Sequence, residues 1–220
     1  VHHVGRRKVA IVIDSAADLP DEALERLDIH MVPARIHFGE HSYLDKVSLT
    51  SEQFFRQLAT NPVHPKTSQP PPGDFRRAFE FLGSHYESVL YIGLTSRVSG
   101  TLQSGQSAAE RVNTRGRIVA FDSQNVSVSQ GLIAMRAAEA ALAGATLEEC
   151  ERVAVASRGA TRSFACLPTL EYAVRGGRIP AWVGRIATFL QVTPLIGTRL
   201  DGSVGLVGVL FGHRNLTERF

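Results

Sequence analysis

Two short stretches carry the side chains best suited to chemistry. In KTSQPPPGDF, Lys66 to Phe75, the hydroxyls of Thr67 and Ser68 precede three consecutive prolines. About thirty residues on, TSRVSGT presents Ser99, Gly100 and Thr101 in a loop with a permissive glycine. Hydroxyls and backbone N–H groups at the start of helices receive an anionic oxygen well, through hydrogen bonds and the positive end of the helix dipole. A hydroxyl becomes a nucleophile only beside a base, and neither loop carries an adjacent histidine or carboxylate. The pattern therefore points to holding an anion rather than attacking a substrate. Asp14, Ser15, Asp122 and Ser123 also stand before helical segments and read as caps.

RGGRI, Arg175 to Ile179, adds a cation. Its two glycines allow a sharp turn, from which Arg178 can present a forked guanidinium to a carboxylate or phosphate. The apolar residues that follow, among them Ile179, Trp182, Ile186, Phe189, Leu190 and Ile196, read mainly as core, with some available to line an apolar cavity. The histidines point elsewhere: His37 and His41 straddle a turn without a third ligand nearby, and read as solvated. The chain has no GxSxG elbow, no GxxxxGK[ST] loop and no GxGxxG fingerprint, so hydrolase, P-loop kinase and dinucleotide enzyme each lack their local signature.

The elements that must position these groups alternate. KVAIVID (8–14), SVLYIGL (88–94) and RIVAFDS (117–123) are β-branched runs of buried parallel strands, and helices follow each. IHMVPARIHF (29–38) alternates apolar and polar residues and reads as one further strand. The proline-rich loop before Gly73 is expected to be stiff but without regular structure. The fold class is α/β in two domains. A tail of residues 1–7 leads into a parallel-sheet domain, 8–157, with helices on both faces and the hydroxyl-rich loops at its strand ends. A smaller α+β domain, 158–220, follows, with a helix after Pro180 and two strands joined at Asp201-Gly202; it has too few elements to close a core and reads as truncated or partly missing.

Composition narrows the class further. The 220 residues are 44% hydrophobic and 20% charged, ordinary for a globular chain. The formal charge of +3 comes from scattered basic residues without aromatic interleaving, which argues against a nucleic-acid partner. Cys150 and Cys166 have no metal spacing, and no run is long enough to span a membrane, so a reduced cytoplasmic setting is expected.

Taken in order, IVIDSAADLP, KTSQPPPGDF, SRVSGTLQSG, IVAFDSQNVSVSQG and LEYAVRGGRI resemble the DegV family of bacterial fatty-acid-binding proteins. The resemblance implies a pair of α/β domains that bury a long-chain fatty acid, with no cofactor. It also implies a lipid-presenting role toward an ATP-dependent fatty acid kinase, separate or fused. On the matching positions it implies head-group contacts from Thr67, Ser99 and Arg178, with Ser68, Gly100 and Thr101 in the same loops. The tail would run beside Ile179, Ile186, Phe189, Leu190 and Ile196. Three departures stand out: the family's later histidine-glycine stretch is not in the sequence, Phe211 replaces a basic residue, and prolines replace a serine after Gln69. His213 and Arg214 are candidates to compensate. The rival readings are a serine-dependent acyl hydrolase or phosphotransferase using Ser68 or Ser99, with Asp14 or Asp122 as base, and a regulatory module binding protein or nucleic acid.

Overall fold

The computed structural model describes residues 7–112, 116–180, 182, 185 and 192–211. β1 (Arg7–Asp14) is the centre of a four-stranded sheet with β2 (Ile29–Val32), β6 (Tyr86–Gly93) and β7 (Ile118–Asp122), in the order β2-β1-β6-β7. All three pairings are parallel. Ile11 and Ile13 face one side, where α1 (Asp21–Leu27), α5 (Val128–Leu142) and α6 (Leu147–Ala160) cover them. Ala10 and Val12 face the other, under α3 (Pro72–His85) and α4 (Thr101–Ala109), where Phe75, Phe79 and Tyr91 cluster. Strand order reverses between β1 and β6, so the crevice for a ligand opens outside their carboxyl ends. Asp14 and the Thr95–Thr101 loop stand there.

The segment 29–38 differs from the single strand expected. It breaks at Pro33: β2 stays in the parallel sheet, whereas β3 (Arg35–Phe38) leaves it and pairs antiparallel with β4 (His41–Leu44). A proline cannot donate to a ladder, so the strand changes sheets where its hydrogen bonding is interrupted. The proline-rich loop also differs. Lys66–Ser68 forms β5, an edge strand on β3, giving a small sheet in the order β4-β3-β5. Its apolar face, Ile36 and Phe38, packs with Leu49 and with Phe54 of α2 (Ser51–Thr60). α2 is opened by a capping box between Thr50 and Gln53.

A third sheet, β10-β9-β8, holds β8 (Phe164–Cys166), β9 (Val192–Thr198) and β10 (Val204–Phe211), with α7 (Glu171–Arg175) after β8. The hairpin at Asp201-Gly202 is as expected, and Gly202 takes φ +81°. Trp182, expected in the core, is 59% exposed, and Phe211 at the end of β10 is exposed as well. The third sheet docks on the first through polar contacts. Buried Thr95 donates to Gly202 O at 2.9 Å, Thr198 Oγ1 donates to Asn125 Oδ1 at 3.2 Å, and Ser163 Oγ donates to Val126 O at 3.0 Å.

A side chain at position 202 meets two obstacles: the left-handed φ and Thr95 Oγ1, only 2.6 Å from where a Cβ would stand. Gly202→Ala is expected to cost about 1–3 kcal/mol, read as a lowered midpoint in urea unfolding, while Ser203→Ala on the same turn costs less.

Candidate functional site

Asp14 ends β1 and is 1% exposed. No cation pairs with it among the described residues. Instead its Oδ2 accepts from Tyr91 Oη, the Leu94 N–H and Gln130 Nε2, each at 2.9 Å, and its Oδ1 accepts from the Ala16 N–H at 3.2 Å. Burial pushes the Asp14 carboxyl above its ordinary value of 3.8, and those four donors hold it partly back. Tyr91 in turn is held protonated well above the usual phenol range, by burial first and by the Asp14 charge next. Ser15 accepts from the Ala34 N–H at 3.0 Å, and Lys46 bridges Ser15 O and Asp18, fixing the turn out of β1. Asp14 is therefore more than the cap the sequence indicated.

Around this anchor lies a pocket of about 250 Å³. Its walls include Asp14, Asp45, Thr67, Ser68, Ser99, Thr101 and Arg178. Five of the six expected head-group residues thus meet in one place, from three separate parts of the fold. Gly100, the sixth, packs on Gln69, and a Cβ there would collide with the Gln69 amide oxygen. Gln69 also donates from Nε2 to Ser104 Oγ at 3.0 Å, strapping the β5 loop to α4. Sequence reasoning passed over Gln69, as it did the Asp14 network; a glutamine between a hydroxyl pair and a glycine-bearing helix start is the signal that pointed to it.

Ser99 Oγ accepts from the Thr101 N–H at 3.2 Å and lies 2.8 Å from Thr101 Oγ1. Either hydroxyl can be the donor in that contact, so the pair uses one of its two protons internally and keeps the other to donate. Arg178 is exposed and spends one N–H on Gly176 O at 2.6 Å; its other donors have no partner among the described residues. Thr67 lies opposite Ile36 and Ser68 opposite Arg35, so the two hydroxyls face opposite sides of the small sheet. Ser68 Oγ is 2.8 Å from His37 Nε2. A base therefore does stand beside Ser68, which neighbouring positions in the sequence did not show, because β3 and β5 pair across an interval of thirty-one residues.

A second cavity, about 660 Å³, adjoins the first and shares Thr67 and Arg178 with it. Phe54, Phe55 and Leu58 of α2 wall one side, and Tyr172 of α7, stacked on His64 with centroids 5.7 Å apart, walls the other. Ile179 and Ile196 are half-buried, and neither borders this cavity. Val183, Ile186, Phe189, Leu190, His213 and Arg214 lie outside the described residues. Among the described residues no group of histidine, cysteine and carboxylate side chains is placed to hold a metal ion, and no helix is long and apolar enough to cross a membrane.

A parallel α/β sheet whose switch-point loops meet an antiparallel side sheet around a hydroxyl-lined pocket, beside a larger and mostly apolar one, defines the class: an α/β protein with a polar pocket adjoining an apolar cavity. The chain belongs to the DegV family, described as uncharacterised, whose profile matches residues 8–220. Protein DegV of Bacillus subtilis is 32% identical over 193 residues, covering 86% of this chain and 67% of its own length. A DegV domain-containing protein of Caldanaerobacter subterraneus is 32% identical over 207 residues, covering 94% of this chain and 73% of the relative. Among solved structures, DegV from Bacillus subtilis, a fatty acid binding protein, superposes with a TM-score of 0.86 at 28% identity, covering 97% of this chain and 75% of that one. A stearic acid-binding protein from Eubacterium ventriosum gives 0.79 at 29% identity, covering 96% and 72%.

Tyr91→Phe removes one of the donors that favour ionised Asp14, so the folded carboxyl rises further. A carboxyl raised on folding costs stability above its unfolded value of 3.8, and the cost grows until pH passes the folded value. Tyr91→Phe is expected to destabilise the chain by about 1–2 kcal/mol near neutral pH and by less in mild acid. Urea unfolding of both proteins across that range measures the difference.

Proposed function

We propose that this chain binds one long-chain fatty acid, its carboxylate in the smaller pocket and its acyl chain entering the larger cavity. The adjoining of the two cavities at Thr67 and Arg178 is the observation that carries this reading. The Ser99–Thr101 hydroxyl pair, which keeps one proton beyond its mutual hydrogen bond, and Arg178, with unspent donors, would grip the carboxylate; Thr67 would add a third donor at the junction. Asp14 and Asp45 in the same walls oppose a bare anion, so these donors are needed to offset two carboxylates as well as to orient the ligand. The apolar cavity supplies most of the affinity. About fourteen methylenes buried at ~0.8 kcal/mol each give about 11 kcal/mol, against about 8 kcal/mol for micromolar binding plus about 4 kcal/mol or more for association, so the apolar contacts carry most of the affinity and the head-group bonds the remainder.

Such a site holds its acid for another protein to act upon. The partner is an ATP-dependent fatty acid kinase, separate or fused, and the setting is the cytoplasm; the reading calls for no cofactor besides the lipid. Ser68 and Arg178 are solvent-exposed at the head-group end, which suits presentation to a second protein. The bound lipids of the solved relatives support the ligand class.

A second reading, an acyl hydrolase using Ser68, draws on the contact with His37. His37 has no carboxylate partner on Nδ1 among the described residues to orient it as a triad base. Ester cleavage by the isolated chain, lost in Ser68→Ala, would select that reading over lipid presentation.

Delipidated protein offered labelled palmitate should take up one equivalent. Arg178→Ala and Ser99→Ala should each weaken binding by about tenfold, one charge-assisted hydrogen bond's worth, with an unchanged circular dichroism spectrum. Unchanged affinity in both variants would remove the head-group assignment. Leu58→Trp, which fills the larger cavity, should weaken palmitate more than decanoate; equal effects on the two would place the tail elsewhere.

A further inference from the structure

Resting on the proposed carboxylate site, we infer that His37 is a positioning residue that sets whether Ser68 offers the pocket a proton or a lone pair. The Ser68 hydroxyl has one proton to give. With Nε2 of His37 unprotonated, the 2.8 Å contact takes that proton, and Ser68 shows only lone pairs to an anion beside it. With Nε2 carrying hydrogen, as in one neutral tautomer and in the imidazolium, His37 donates and the Ser68 proton is released to the pocket that Ser68 lines. A carboxylate therefore selects the Nε2–H state, and the imidazolium adds an attractive charge. An uncharged head group with its own donor makes no such demand.

The surroundings leave this choice to His37. Opposite it across the small sheet stand Lys66 on β5 and Ser42 on β4. Arg35, on the same face, is engaged at 2.7 Å by Asp74 of α3, which also holds Arg77. On the pocket side, Arg178 is cationic and Asp45 and Asp14 are acidic; Lys46 is committed to Asp18. His41 begins β4 on the register of Phe38, the opposite face from His37. No described side chain other than His37 makes a hydrogen bond to Ser68 Oγ.

The test compares palmitate and hexadecanol binding to delipidated wild type, His37→Gln and Ser68→Ala, near about pH 6 and about pH 8. Palmitate should bind wild type about tenfold tighter at the lower pH, beyond the change seen in either variant, so that titration of the ligand itself cancels. Hexadecanol should show no such difference. If His37→Gln keeps the wild-type pH ratio, the inference is overturned, whether or not Ser68→Ala loses it. If wild type binds palmitate with the variants' pH ratio, it is likewise overturned while the lipid-binding reading survives. If wild type binds no palmitate at either pH, both fall together.

Discussion

A buried carboxylate that pairs with no cation among the described residues is the constraint on which the site depends. Asp14 is surrounded by donors drawn from β6, from the turn after it, from α5 and from its own loop. Removing any one of them leaves charge less compensated in a medium that cannot solvate it. The ends of β1 and β6 and the first turn of α5 are thereby held in a single arrangement. Because the sheet changes direction between those strands, the same network builds the floor of the pocket. Tyr91 links it to the apolar face beneath α3, where Phe75 lies with its ring centroid 4.8 Å away.

From that floor the pocket walls are braced independently. Gln69 straps the β5 loop to α4 across Gly100, so the two hydroxyl-bearing segments keep a common spacing. On its other side the Thr95–Thr101 loop is pinned by Gly202 at the tip of the β9–β10 hairpin. Arg97 reaches the same tip, its Nε donating to Asp201 O at 3.4 Å. The third sheet and the loop that carries Ser99 are therefore tied together at this tip. The two cavities meet where α7 and β5 approach, and Thr67 and Arg178 belong to both. A ligand with one polar end and one long apolar end matches that junction.

Much of the scaffold was legible in the residues. The β-branched runs of β1, β6 and β7, the helices after them and the Asp-Gly hairpin follow from local patterns that tertiary contacts reinforce. Five of six head-group residues named from loop chemistry and resemblance line one pocket. The strand 29–38 was misread because an alternating pattern carries through Pro33, although its two halves pair with different sheets. β5 was missed because proline density suggested an unpaired loop, whereas edge strands need no donor on their outer side.

By itself the sequence determined the parallel sheet, the loops at its carboxyl ends and the small hydroxyl residues in them, since these depend on neighbours a few positions apart. Tertiary structure alone decided that Asp14 becomes a buried anchor, that Ser68 meets His37, and that α2 rather than Ile179 or Ile196 walls the larger cavity. Those outcomes come from strand pairing and sheet packing between distant segments, which no local spacing encodes.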